Sequence, residues 1–207
     1  MGKPDHLRRL IRHLSKRHRF HTLILYGSHA RGDATAASDY DLLAIRKNGR
    51  RVVRDARKWR GAYIDLFIYP ESKLKPSALL QVRGGRVLMQ TNDFGDRFLA
   101  KVDRLYARGP KPLPPDEAEA IRVWARKMLG RIRPRDPEAD FRRVWLLTAA
   151  LEDYFLLRNR WYEGPKMALQ WLRENEPATF RLFERALKQP ANLAASKALV
   201  EAVFRRT

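Results

Sequence analysis

An apolar run from Phe20 to Tyr26 (FHTLILY) halts at Gly27-Ser28, and Asp39-Tyr40-Asp41 then opens a second apolar run, DLLAI. The first run is rich in β-formers and is stopped by glycine, so it reads as a strand feeding a tight turn. Side chains alternate across a strand, so residues two apart share a face. Asp39 and Asp41 therefore project together, close to the Gly-Ser turn. Neighbouring carboxylates repel, and a cation between them relieves the repulsion. Hard oxygen donors of this kind suit Mg²⁺, which is commonly held by one or two carboxylates and substrate phosphates. The pattern points to metal-assisted chemistry on a nucleotide.

The segment GSHARGDATAASDYDLL resembles the active-site motif of the DNA polymerase β-like nucleotidyltransferase superfamily, in particular its minimal and antibiotic-type members. Their pattern is Gly-Ser, a short stretch containing Arg-Gly, then Asp-x-Asp before a strand. Gly27, Ser28, Arg31, Gly32, Ser38, Asp39, Asp41 and Leu42 match it. The resemblance covers roughly residues 5–105; the C-terminal half resembles the helical domain of the antibiotic-type enzymes loosely. The resemblance implies Mg²⁺-dependent transfer of a nucleoside monophosphate from an NTP, with ATP expected, to an acceptor hydroxyl or phosphate, releasing pyrophosphate. Two Mg²⁺ ions are expected. The acceptor is left open among a small molecule, RNA and protein. The alternative is a nucleic-acid-binding or antitoxin-like module that retains the motif; intact acids argue against it.

The 207 residues suffice for one large or two small domains. No stretch approaches a membrane span, no apolar signal region opens the chain, and cysteine is absent. These features predict a cytoplasmic protein with no membrane partner, no disulfides and no thiolate chemistry. The formal net charge is +20. Residues 1–110 hold 24 Lys and Arg against 10 Asp and Glu, so most of the excess lies in the first half. Such a field favours anionic partners, nucleic acid among them.

Apolar spacing predicts a first helix from His6 to His18, with Leu7, Leu10, Ile11 and Leu14 on one face and Asp5 as its N-cap. Strands are expected at 20–26, 40–46, 62–69 and 86–90. Helices are expected at 28–33, 50–59, 76–83 and 94–107. GPKPLPP, residues 109–115, holds four prolines and reads as a stiff linker. Helices follow at 116–131, 138–160, 165–174, 177–188 and 192–205. The expected fold is α+β: a small mixed β-sheet core flanked by helices in residues 1–108, then a C-terminal helical bundle in 116–207. All five histidines precede residue 30, so the Arg…His motif of helical RNase modules is absent from the second half.

Gly27 and Ser28 are the candidate phosphate-binding turn: glycine lets the backbone approach phosphate, and the next helix start offers N–H groups. Arg31 and Lys166 are candidate phosphate contacts. Tyr63, Asp65, Phe67 and Tyr69 share one strand face, where an unpaired Asp would be costly. The resemblance puts a third metal-ligating acid on a strand beside the Asp-x-Asp strand, and Asp65 matches that position. The expected metal set is therefore Asp39, Asp41 and Asp65, with Asp65 also favouring deprotonation of the attacking hydroxyl. Phe141, Trp145, Thr148, Glu152 and Phe155 follow 4-3-4-3 spacing, placing Glu152 on an apolar stripe and Asp153 off it. Antibiotic-type relatives carry a general base on a C-terminal-domain helix, which makes Glu152 the matching candidate.

Overall fold

The structure is a computed structural model that describes residues 4–134 and 136–205, with only the backbone at residues 4 and 5. The chain divides into two compact units, residues 1–108 and 109–207.

The first unit is built on a five-stranded sheet. In chain order it contains α1 (Pro4–Arg17), β1 (Thr22–Tyr26), α2 (Gly27–Arg31), β2 (Tyr40–Arg46), β3 (Val53–Trp59), β4 (Ala62–Pro70), β5 (Arg86–Met89) and α3 (Phe94–Ala107). The spatial order is β3-β4-β2-β1-β5. Only β2 and β4 pair in parallel; the other neighbours are antiparallel. Alternation sorts the side chains onto two faces. Leu23, Leu25, Leu42, Ala44, Ile64, Leu66 and Ile68 pack under Leu10 and Leu14 of α1. Ile24, Tyr26, Leu43 and Ile45 face Leu79, Val82 and, from α3, Phe98 and Val102. Both layers are nearly inaccessible to water, so the sheet that carries the site is clamped from either side. Because α1 begins at Pro4, Asp5 lies in the first turn and is not the N-cap.

Two expected helices of this unit are corrected. Residues 50–59 were expected to be helical from Val52, Val53, Ala56 and Trp59, but β3 occupies 53–59 as an edge strand. Its burial alternates, with Val53, Asp55, Arg57 and Trp59 turned to the α1 side. His18 Nε2 meets Asp55 Oδ2 at 2.6 Å, and Arg57 pairs with the same carboxylate. Arg60 and Gly61 both have positive φ, 47° and 83°, between the paired residues Trp59 and Ala62. That two-residue turn matches the twist of a hairpin and dictates strand geometry before it. Residues 76–83 form no α-helix; short 3₁₀ turns occupy 71–73, 76–78 and 80–82. Pro76 lacks an N–H and disfavours helix at Lys75, and the turns deliver Leu79 and Val82 to the sheet.

The second unit is helical in its described residues: α4 (Pro115–Arg131), α5 (Pro137–Leu156), α6 (Pro165–Asn175), α7 (Pro177–Lys188) and α8 (Leu193–Val203). Four of the five start with proline at the first position, where its missing N–H is harmless. Asp136 and Asn192 cap α5 and α8, accepting from the N–H of Ala139 at 2.8 Å and of Ala195 at 3.0 Å. The core centres on Tyr154 and Phe183, both fully buried and meeting edge to face at 6.4 Å. Arg158 lies over the Tyr154 ring and donates to the Val203 carbonyl at 3.1 Å, tying α5 to α8. The fold class is therefore α+β, as expected.

Candidate active site

The site follows from register. β1 runs antiparallel to β2 with Tyr26 opposite Asp41, and β2 runs parallel to β4 with Asp41 opposite Asp65. Asp41 thus stands on a central strand with the end of β1 on one side and Asp65 on the other. Gly27 follows Tyr26 directly and has φ of +68°. A Cβ built there would overlap Asp41 Oδ2 and lie 3.0 Å from its Cγ. The Asp41 carboxylate therefore occupies the space that glycine leaves open.

Electrostatics mark the same residue. Burial pushes the Asp41 carboxyl above its usual range, and the charges of Asp39 and Asp65 push it the same way. Arg31 and His29 pull partly against them. The Tyr26 phenol is likewise raised, first by burial and then by Asp41 and Asp65. Asp39 and Asp65 therefore both lie within electrostatic reach of Asp41, and the field there is one a cation would relieve. Their hard oxygen chemistry and the cradle at Gly27 fit a divalent ion. As the side chains stand, no group of three or more His, Asp or Glu forms a ready metal cluster among the described residues. Asp65 is engaged in an ion pair. Arg54 grips it in a fork, Nε donating to Oδ1 and Nη2 to Oδ2, each at 2.8 Å. The Arg54 guanidinium also sits 5.2 Å from the Phe67 ring centroid.

The turn beside the carboxylates is braced locally. Ser28 is the second residue of the short α2, and its carbonyl accepts from the N–H of Gly32 at 2.9 Å and of Asp33 at 3.2 Å. Arg31 lies 3.4 Å from Asp33. Ser38 orients the approach to Asp39, its Oγ accepting the Thr35 N–H at 2.9 Å. His29 stacks on Tyr40, ring centroids 4.0 Å apart, and its Nε2–H donates to the Ser38 carbonyl at 3.2 Å. This links the residue after Ser28 to the residue between Asp39 and Asp41.

Gly27, Ser28, Arg31, Asp39, Asp41 and Asp65 all belong to the first unit, and register brings Asp41, Asp65 and the glycine turn together. Glu152 and Lys166 belong to the second unit, on α5 and at the exposed start of α6. The stripe expected to carry Glu152 inward is corrected. Phe141 and Trp145 are 72% and 50% exposed, and Glu152 is exposed with them. The buried side of α5 is Leu146, Leu147, Ala150, Leu151, Tyr154 and Phe155. Both sides of α5 carry large apolar residues, so periodicity alone could not choose between them. Asp153, expected off the apolar face, is the more buried acid. Burial first, and then the Glu152 charge, push its carboxyl up to about 6. Sequence reasoning also missed Arg54, which faces Asp65 only once β3 is a strand, and His29. A hairpin turn at Arg60-Gly61 puts Arg54 opposite Phe67, diagonal to Asp65 on the same face.

The family model for the nucleotidyltransferase domain matches residues 7–85, which span α1 to the turn before β5. Among solved structures, the chain is similar to a toxin-antitoxin with AMP-PNP at 18% identity. That match covers 49% of this chain and 87% of that one, with a TM-score of 0.36. It is also similar to a nucleotidyltransferase-like protein from Exiguobacterium sibiricum 255-15 at 14% identity. Here the coverage is 98% of this chain and 74% of that one, with a TM-score of 0.45. Comparison with curated proteins yields no match. Residues 7–85, within the first unit, thus carry the match to the nucleotidyltransferase domain family.

Proposed function

We propose that the chain transfers a nucleoside monophosphate from an NTP, with ATP as the expected donor, to an acceptor hydroxyl or phosphate, and releases pyrophosphate. The observation that carries this reading is the placement of Asp41 over Gly27 and opposite Asp65. Nucleotidyl transfer needs acidic ligands beside a turn that phosphate can approach. Gly27 lets the backbone come close to the triphosphate, the Ser28 hydroxyl donates to it, and Arg31 adds positive charge. Asp39, Asp41 and Asp65 would hold two Mg²⁺, which when bound supply Lewis acidity toward the attacking oxygen and charge neutralisation toward the leaving pyrophosphate. Asp65 can take part once it leaves the Arg54 fork, so Arg54 acts as a competing counter-ion. We place this chemistry in residues 1–108, with 109–115 as linker and 116–207 as a separate helical domain. The general-base role of Glu152 and the triphosphate contact of Lys166 rest on the family resemblance.

Calorimetry with a non-hydrolysable ATP analogue and Mg²⁺ tests the turn. Ser28→Ala should weaken binding by about 1.5–3 kcal/mol, the worth of a hydrogen bond to a charged group. Gly27→Val should weaken it further. Equal affinity in wild type and both variants would place the nucleotide elsewhere.

A further inference from the structure

A second feature of the first unit lies on the opposite face of the sheet. A groove of about 600 Å³ runs between α1 and the tip of the β3–β4 hairpin. Arg8, Arg9, Arg12 and Lys16 line it from α1, Arg60 lines it from the hairpin turn, and Trp59 lines it from the end of β3. Among the described residues no acidic side chain lines it. Arg8, Arg12 and Lys16 are four residues apart, so they rise along one helix face about 6 Å at a time. That is a ladder of cations suited to successive phosphates. Trp59 is half-buried and held in place by rings, His6 at 4.9 Å and His13 at 5.7 Å between centroids. Burial, then the charges of Arg57 and Arg17, lower the pKa of His13, which also lines the groove. The Arg60 guanidinium lies 5.5 Å from the Trp59 ring centroid.

The aromatic contacts continue beyond the groove. His6 stacks on Tyr40 at 5.5 Å, and Tyr40 stacks on His29 at 4.0 Å. Tyr40 lies between Asp39 and Asp41, so these ring contacts run from Trp59 to the start of β2.

We propose that this groove binds a single-stranded nucleic acid, with phosphates paired to Arg8, Arg12, Lys16 and Arg60 and a base stacked on Trp59. Single-strand sites combine a cationic track with an aromatic stacking platform, and both are present here. An acidic peptide would leave the ring without a planar partner. A membrane surface would call for apolar side chains around the groove, and the lining supplies cations. The binding site stands independently of the nucleotidyl-transfer reading.

The test is anisotropy of fluorescein-labelled 12-nucleotide oligouridylate and oligothymidylate with the full chain between 50 and 300 mM NaCl. Wild type should show a log–log salt slope of about −3, at about −0.7 per phosphate contacted. R12Q/K16Q should lose at least tenfold in affinity and flatten the slope by about 1.4, two contacts at about 0.7 each. Both side chains are exposed, so folding is not at stake. K101Q/R104Q removes the same charge from exposed positions of α3 and should change affinity less than twofold. Trp59→Phe should remove the tryptophan quenching that accompanies oligonucleotide binding. Equal losses in the two double variants, or none in R12Q/K16Q, would overturn the proposal. So would Arg12- and Lys16-dependent capture of phosphatidylserine vesicles without oligonucleotide binding. Affinity for the ATP analogue is read separately: if it fails while oligonucleotides bind, nucleotidyl transfer is refuted and the groove stands.

Discussion

Replacing Gly27 by alanine should destabilise the first unit through two separable effects. Gly27 has φ of +68°, and a residue with a β-carbon held in that region loses about 1–2 kcal/mol. The new β-carbon would also overlap Asp41 Oδ2. The carboxylate must swing aside into a poorer rotamer, adding about 0.5–1.5 kcal/mol. Together these put the loss at about 1.5–3.5 kcal/mol. Urea denaturation followed by circular dichroism would read it. The same substitution in an Asp41→Ala background keeps the backbone effect and loses the overlap. A double-mutant cycle should therefore show coupling of about 0.5–1.5 kcal/mol. An identical loss in both backgrounds would mean that Asp41 does not lie over Gly27. A loss below about 0.5 kcal/mol would refute the left-handed conformation as well.

Asp153→Asn should stabilise the protein near neutral pH. The Asp153 carboxyl is raised from 3.8 to about 6, so the folded state binds the extra proton and stability falls as pH rises between those values. Allowing for its partial exposure, the neutral side chain should gain about 1–2 kcal/mol at pH 7 and almost nothing at pH 3.5; thermal melts at both pH values check this, and a gain independent of pH would contradict it. Arg54→Met releases Asp65 from the Arg54 fork, and Mn²⁺ affinity by electron paramagnetic resonance should rise. Unchanged affinity would remove Asp65 from the cation ligands.

The central elements were legible in the sequence because burial there is one-sided and periodic. α1 keeps Leu10 and Leu14 on a single face, and β4 alternates Ile64, Leu66 and Ile68 with Tyr63, Asp65 and Phe67. The β3 strand was not legible, because Val52, Val53, Ala56 and Trp59 happen to satisfy a helical period over the same residues. What decides there is the Arg60-Gly61 turn, a two-residue feature that outweighs a ten-residue pattern. The error carried into the site: with 50–59 read as helix, nothing placed Arg54 beside Asp65. On α5 the difficulty was different. Phe141 and Trp145 are as apolar as Leu146 and Leu147, yet only the second pair is buried. Which side of such a helix turns inward is set by its neighbours α4, α7 and α8, and these leave no trace in its own spacing. Asp39 and Asp41 were readable as a pair, whereas the cross-strand match of Asp41 with Asp65 required the parallel register.

The most direct test of nucleotidyl transfer compares wild type with Asp41→Asn. Each is incubated with Mg²⁺, each of the four α-phosphate-labelled NTPs in turn and a panel of hydroxyl- and phosphate-bearing acceptors. Asp41→Asn keeps the shape of the side chain and removes its charge, so the fold should survive, as circular dichroism would confirm. Wild type should transfer label from at least one NTP with release of pyrophosphate, and Asp41→Asn should transfer none. Label transfer by Asp41→Asn at the wild-type rate in saturating Mg²⁺ would contradict the assignment of this site.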